Sequence, residues 1–307
     1  MQYRIMVSDS ISPEGVKVLQ TEADVILSDD PGNLGEVDAL IVRSRTKVKS
    51  DWIAKGMPRL RVIGRAGVGV DNIDIDAACS HGVIVVNAPE AATAAVAEHT
   101  IGLMLALSRQ IPTADRTMKD GEWRKSEFMG VELQGKTLGI IGVGRIGTAV
   151  ADRAVTFGME ILGCDPYVGQ EELQSRPIDL LSFDELLARS DFISIHVPLN
   201  EETLDMFNTE AFSKVKHGAR LIFTARGGVV NETALLEALN AGTVSGAALD
   251  VFENEPTDST TLVGHPRVIS TPHIGAQTTE AQIRAGIDIA TEVLAALNEK
   301  PLRWQVI

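Results

Sequence analysis

Three short polar segments in the second half of the chain each follow an apolar run. They are Thr224-Ala225-Arg226-Gly227-Gly228, Asp250-Val251-Phe252-Glu253-Asn254-Glu255-Pro256 and Thr271-Pro272-His273-Ile274-Gly275-Ala276. Together they offer a guanidinium, carboxylates and an imidazole. An imidazole exchanges protons near neutrality, and a guanidinium orients a carboxylate and an adjacent carbonyl. A carboxylate beside the imidazole holds its ring and favours its charged form. His273 is therefore the candidate acid/base, Glu255 its partner and Arg226 the anion grip. Such a set suits interconversion of a 2-hydroxy acid and a 2-oxo acid, provided a hydride carrier is bound nearby.

A site for that carrier can be read upstream. The apolar run Thr137–Ile141 stops in a G-x-G-x-x-G turn, Gly142, Gly144 and Gly147, and continues as the helical Ala149–Ala154. The first glycine allows the tight turn, the second admits a pyrophosphate and the third lets the helix pack on the strand. Arg145 and Ile146 open the helix, where free amides face an anion. A second apolar run, Met159–Cys164, ends in Asp165, which lies 18 residues beyond Gly147. That spacing suits a carboxylate that binds a ribose hydroxyl, and its charge repels a 2′-phosphate. The expected cofactor is NAD. No metal is expected, since Cys79 and Cys164 lack zinc-site spacing.

Composition narrows the partners. With 307 residues, 44% hydrophobic and 23% charged, the chain can build two cores. A net charge of −14 argues against nucleic acid and acidic membrane surfaces. The first residues read as a strand rather than a signal peptide, the longest apolar stretch is too short to span a bilayer, and a cytoplasmic location is expected.

Short β-like runs alternate with helical ones, and the rhythm restarts after Gly135. The first set is 4–7, 25–27, 39–42, 60–63 and 83–86. The second is 138–141, 161–164, 192–196, 220–223, 246–249 and 268–270. This predicts an α/β protein with two doubly wound parallel sheets. Thr93–Arg109 reads as a buried helix crossing from one body to the other. The last helix, 280–298, places Ile283, Ile287, Ala290, Leu294 and Leu297 on one stripe and should return to the first body. The cluster Gly64-Arg65-Ala66-Gly67-Val68-Gly69 has G-x-x-G-x-G spacing and no long helix after it. It is either a loop needing positive φ or a backbone cradle for a small anion, with Arg43, Ser44 and Arg45 ending the preceding strand. Asp250 could cap a turn or face the nicotinamide. Glu253 should be solvated, and His81, His99, His217 and His265 should serve surface, packing or capping roles.

With these segments and 42–48, 64–74, 96–100, 118–123 and 196–199, the chain resembles the D-isomer-specific 2-hydroxyacid dehydrogenases over nearly its whole length. The resemblance implies a Rossmann NAD-binding domain, 99–282, inserted into a flavodoxin-like substrate domain, 1–98 plus 283–307. It implies His273, Glu255 and Arg226 as the catalytic set. The implied cofactor shell is Gly142, Gly144, Arg145, Ile146, Gly147, Asp165, His196, Thr224, Ala225, Arg226, Asp250, His273, Gly275 and Ala276. The implied substrate contacts are Arg43, Ser44, Arg65, Gly67, Val68, Gly69, Arg226 and His273. Oxidation of D-3-phosphoglycerate to 3-phosphohydroxypyruvate, in serine biosynthesis, is the activity so implied, in a homodimer. Alternatives are reduction of glyoxylate, hydroxypyruvate or pyruvate to D-lactate, or a non-catalytic role like that of NAD-sensing corepressors. The chain departs from the family where Phe223 replaces a usual asparagine and where Ala92 follows Pro89-Glu90-Ala91. It also stops at Ile307, so serine feedback through a C-terminal region is not expected.

Overall fold

The computed structural model describes residues 2–307, which divide into two units. The first holds five parallel strands, β1 (Tyr3–Val7), β2 (Ala23–Leu27), β3 (Ala39–Val42), β4 (Val62–Arg65) and β5 (Ile84–Asn87), in the order β2-β1-β3-β4-β5. Helices α1 (Pro13–Leu19), α2 (Ser50–Gly56) and α3 (Ile75–Ser80) lie between them in sequence. This is the flavodoxin-like order, with its switch point between β1 and β3. β4 starts two residues later than the sequence suggests. Leu60 is used instead to close α2, its amide bonding to the Gly56 carbonyl at 2.8 Å. Arg65 thus ends the strand rather than sitting inside the glycine loop.

The second unit, Ala94–Gly275, has seven parallel strands: β6 (Thr137–Ile141), β7 (Glu160–Cys164), β8 (Ile178–Leu180), β9 (Phe192–Ile195), β10 (Ala219–Phe223), β11 (Val244–Leu249) and β12 (Val268–Ser270). Their order, β12-β11-β10-β9-β6-β7-β8, is that of a Rossmann sheet with a switch point between β6 and β9. The helices are α4 (Thr93–Arg109), α5 (Ile111–Lys119), α6 (Arg145–Thr156), α7 (Phe183–Arg189), α8 (Thr209–Lys214), α9 (Glu232–Ala241) and α10 (Thr260–Val263). β10 and β11 are buried along almost their whole length, as parallel strands covered on both faces must be. Phe223 is part of that core, which is why an apolar residue is accommodated there.

The last helix, α11 (Thr279–Leu297), belongs to the first unit and packs on its strands. Of the expected stripe Ala290, Leu294 and Leu297 are buried and Ile283 and Ile287 half-buried, while Ala285, Ile289 and Val293 are covered as well. Gly64 of β4 widens it, because the absence of a Cβ there admits the side chains of Ile289 and Val293. Full burial of each contributes about 1.5–3 kcal/mol. The units divide at 93/94 and 275/276 rather than at 98/99 and 282/283. The reason is that each helix packs into one core as a unit. Ala97, Ile101 and Met104 of α4 join the core of the second unit, whereas α11 is committed to the first from its start.

Candidate active site

The turn between β6 and α6 is built as its glycines require. Gly142 has φ +89°, and a Cβ at 147 would run into the Gly142 carbonyl oxygen. A Cβ at 144 would meet nothing within 4 Å, so the backbone there is open to a ligand. Gly144 caps α6 without a side-chain bond, and Arg145 is exposed while Ile146 is half-buried behind it. Asp165, at the end of β7, accepts from the amides of Val143 at 2.9 Å and Tyr167 at 3.0 Å. The carboxylate is thereby fixed beside the turn.

Across the switch point, β9 ends at Ile195, one residue before the sequence suggests, and the carbonyl of the next residue, His196, abuts Gly142. Its Nε2 pairs with Ser194 Oγ at 2.8 Å, and its buried Nδ1 has no partner. Burial pushes its pKa down to about 3, so the ring is neutral. An open glycine cradle at a helix start, a fixed carboxylate and an orphaned ring nitrogen fit a dinucleotide. Among the described residues no group of three His, Cys, Asp or Glu side chains is arranged to hold a metal.

His273, Glu255 and Arg226 follow β12, β11 and β10, which are adjacent in the sheet, so topology alone brings them to one end. His273 Nδ1 lies 2.7 Å from Glu255 Oε2. Glu255 also accepts from the Phe252 amide at 3.3 Å. Burial pushes the Glu255 carboxyl up. The hydrogen bond and charge of His273, the Phe252 amide and the charge of Arg226 outweigh burial and hold it below the usual carboxylate range. An ionised Glu255 requires a hydrogen on Nδ1, which leaves Nε2 of the neutral ring as the proton acceptor.

Arg226 donates to the Ala225 carbonyl at 2.8 Å. Its loop lies against the Glu255 loop because Gly227, lacking a Cβ, touches the backbone of Phe252. Glu253 is not merely solvated, since its carboxylate accepts from the Glu232 amide at 2.9 Å and the Glu232 carboxylate accepts from the Glu253 amide at 2.8 Å. This reciprocal clamp ties the segment before Glu255 to the start of α9, where carboxylates are favoured.

Other expected cofactor residues hold the site's frame. Thr224 is buried with its hydroxyl 3.0 Å from that of Thr100. Asp250, 1% exposed, accepts from the Thr271 hydroxyl and the amides of Ile274 and Gly275. Ala276 is the first residue of the other unit and accepts from Gln282. His99, expected to serve packing or capping, instead bonds to Thr271 at 3.1 Å.

The first unit gathers the expected substrate contacts at the ends of β3 and β4. Asp9, just beyond β1 and missed in the sequence, organises them. It accepts from the amides of Arg43 and Thr46, the Thr46 hydroxyl and Arg45 Nε. Arg45 also pairs with Asp29, so two carboxylates answer its charge. Arg43 is half-buried and Ser44 exposed. Arg65 lies under Gly67, where φ is +150°. Gly67 and Val68 are tied to β5 through Ala88 and Asn87, and Gly69 is half-buried.

The two sheets, the glycine turn and the imidazole–carboxylate pair define an α/β dehydrogenase-like protein. Residues 101–275 match the NAD binding domain of the D-isomer specific 2-hydroxyacid dehydrogenases, and the chain belongs to that family. It is 48% identical over 306 residues to D-3-phosphoglycerate dehydrogenase of Bacillus subtilis, covering 98% of this chain and 58% of that one. It is 46% identical to the enzyme of that name from Methanocaldococcus jannaschii, covering 96% and 57%. The chain spans roughly half the length of such relatives. The structure of D-lactate dehydrogenase from Aquifex aeolicus, complexed with NAD and lactic acid, is similar with TM-score 0.85 and 33% identity, over 96% of both chains.

Proposed function

We propose that the chain catalyses NAD-dependent oxidation of D-3-phosphoglycerate to 3-phosphohydroxypyruvate. The observation that carries this reading is the His273–Glu255 pair, 2.7 Å apart, with Arg226 acting on the same carboxylate. Arg226 grips the carboxylate of the substrate and sets its 2-hydroxyl toward His273 Nε2. His273 takes the hydroxyl proton as the C2–H bond breaks, and Glu255 stabilises the imidazolium that forms. NAD, held by the Gly142–Gly147 turn and Asp165, supplies the hydride acceptor when bound. Arg43 and Arg65 are assigned to the phosphate, which needs cations against the chain's acidic background. The 43–48% identity to relatives named for this substrate supports that choice.

NADH formation from D-3-phosphoglycerate tests the reading. Turnover with it in preference to D-lactate, D-glycerate and glycolate is expected. Turnover with only the unphosphorylated acids would reassign the substrate, and none with any would favour a nucleotide-binding role without catalysis.

A homodimer is part of the same reading. Ile111, Met118, Trp123 and Met129, on α5 and the segment after it, are 52–87% exposed, an apolar display suited to a second copy of this chain. Light scattering giving twice the 32.9 kDa chain mass would support it, and a monomer would refute it. Two free thiols suit a reducing compartment, and we place the protein in the cytoplasm on that ground. Among the described residues no helix is long and apolar enough to cross a membrane.

A further inference from the structure

His273 adopts φ +51°, a left-handed conformation uncommon outside glycine, which hydrogen bonds around it hold in place. The support is built beneath it. The His273 amide donates to the Asp250 carbonyl at 2.9 Å, and the next two amides, Ile274 and Gly275, donate to the two Asp250 carboxylate oxygens at 2.8 Å each. Asp250 therefore shapes three consecutive residues of the loop. A cradle of this kind holds its shape only if the carboxylate itself cannot swing.

Two side chains fix it. Thr271 Oγ1 donates to Asp250 Oδ1 at 2.6 Å, and His99 Nε2 lies 3.1 Å from Thr271 Oγ1 and 3.4 Å from Asp250 Oδ1. The single hydroxyl hydrogen of Thr271 is spent on the carboxylate, so its oxygen accepts from His99 and Nε2 carries a hydrogen. His99 sits on α4, a helix anchored in the core of this unit through Ala97, Ile101 and Met104. The chain of bonds thus runs from a rigid helix to the backbone of the acid/base.

We propose that His99 and Thr271 are positioning residues for His273, acting through Asp250 to hold the imidazole at Glu255. The proposal rests on the assigned role of His273 as acid/base. It concerns geometry present without substrate, and so has a readout of its own.

The test compares His99→Leu, which removes the donor, with His99→Gln, whose amide reaches a similar point. It likewise compares Thr271→Val, nearly equal in shape, with Thr271→Ser, which restores the hydroxyl. The low-field proton resonance of His273 Nδ1–H, assigned by its loss in His273→Ala, is followed in protein free of substrate. It should broaden or vanish in the Leu and Val variants and return in the Gln and Ser variants. With whichever 2-hydroxy acid the wild type oxidises, kcat should fall about 10- to 100-fold in the first pair, and the conservative pair should recover most of it. NAD affinity should stay within about twofold throughout.

An unchanged resonance in both His99→Leu and Thr271→Val overturns the proposal, as does equal loss in the conservative and disruptive variants. If His99→Leu fails to fold, the Thr271 pair decides by the same criteria. Should the wild type oxidise no 2-hydroxy acid, the assigned activity fails, while the resonance still decides whether these residues position the ring.

Discussion

Replacing Glu255 with glutamine keeps an oxygen that can accept from His273 Nδ1–H but removes the charge that stabilises the imidazolium. At the 2.7 Å separation observed, two unit charges attract by about 1.5 kcal/mol at the dielectric of water and about 6 kcal/mol at an effective dielectric of 20. The side chains are 46% and 39% exposed, so solvent screens the pair and the smaller figure is the better guide. A loss of about 1.5 kcal/mol in the transition state corresponds to a roughly 13-fold lower kcat. Because Glu255 does not belong to the glycine turn, the dissociation constant for NAD should hardly change. Steady-state kinetics, with NAD binding followed by fluorescence titration, would measure both quantities. A kcat within about twofold of wild type would refute the claim that this carboxylate supports proton transfer, and weakened NAD binding would show that its effect lies elsewhere.

Further outcomes follow from the same geometry. His273→Ala should abolish turnover while NAD binding survives in equilibrium titration, since the proton acceptor and the cofactor cradle are largely separate groups. Gly147→Val should destroy NAD binding, because the added side chain meets the Gly142 carbonyl, and binding assays on the folded fraction would show it. Arg43→Ala should raise KM for D-3-phosphoglycerate by about tenfold more than for glycolate, and equal effects would exclude a phosphate contact. Acid should destabilise the fold. Burial pushes the carboxyls of Asp9, Asp191 and Asp250 up, but their hydrogen bonds, those from Arg45 to Asp9 and from Lys216 to Asp191 among them, outweigh it and hold all three below the usual value. Their stabilisation is therefore full above the unfolded value near pH 4 and is lost as pH falls through the folded ones. The urea midpoint should hold from about pH 7 to 5 and drop below about pH 4, with a shallower drop in Asp9→Asn.

The glycine turn and the three polar strand ends were legible because their residue types are forced by local geometry. Gly147 must lie on Gly142 for the strand to turn directly into the helix. Strands with long apolar runs were equally plain. β8 escaped notice since Ile178-Asp179-Leu180 is three residues at a sheet edge, with one neighbour to enforce it. Asp9 and the ion pairs of Arg45 went unread, and His99 was read only as surface, packing or capping, for another reason. Their partners lie 16 to 172 positions away, so no local pattern reports them. His99 in particular sits on an apolar helix, where a histidine reads as packing. Glu253 is exposed, as the alternation of an extended segment suggests, but its bond to the Glu232 amide spans 21 positions and has no local signal.

The central claim is that His273 accepts the substrate hydroxyl proton while the hydrogen on C2 leaves to NAD. The direct measurement uses D-3-phosphoglycerate deuterated at C2, with mass analysis of the NADH formed by wild type and by His273→Ala. One deuterium per NADH from the wild type, and no labelled NADH from the variant, is the expected result. Unlabelled NADH from the wild type, or labelled NADH formed by the variant at the wild-type rate, would contradict it.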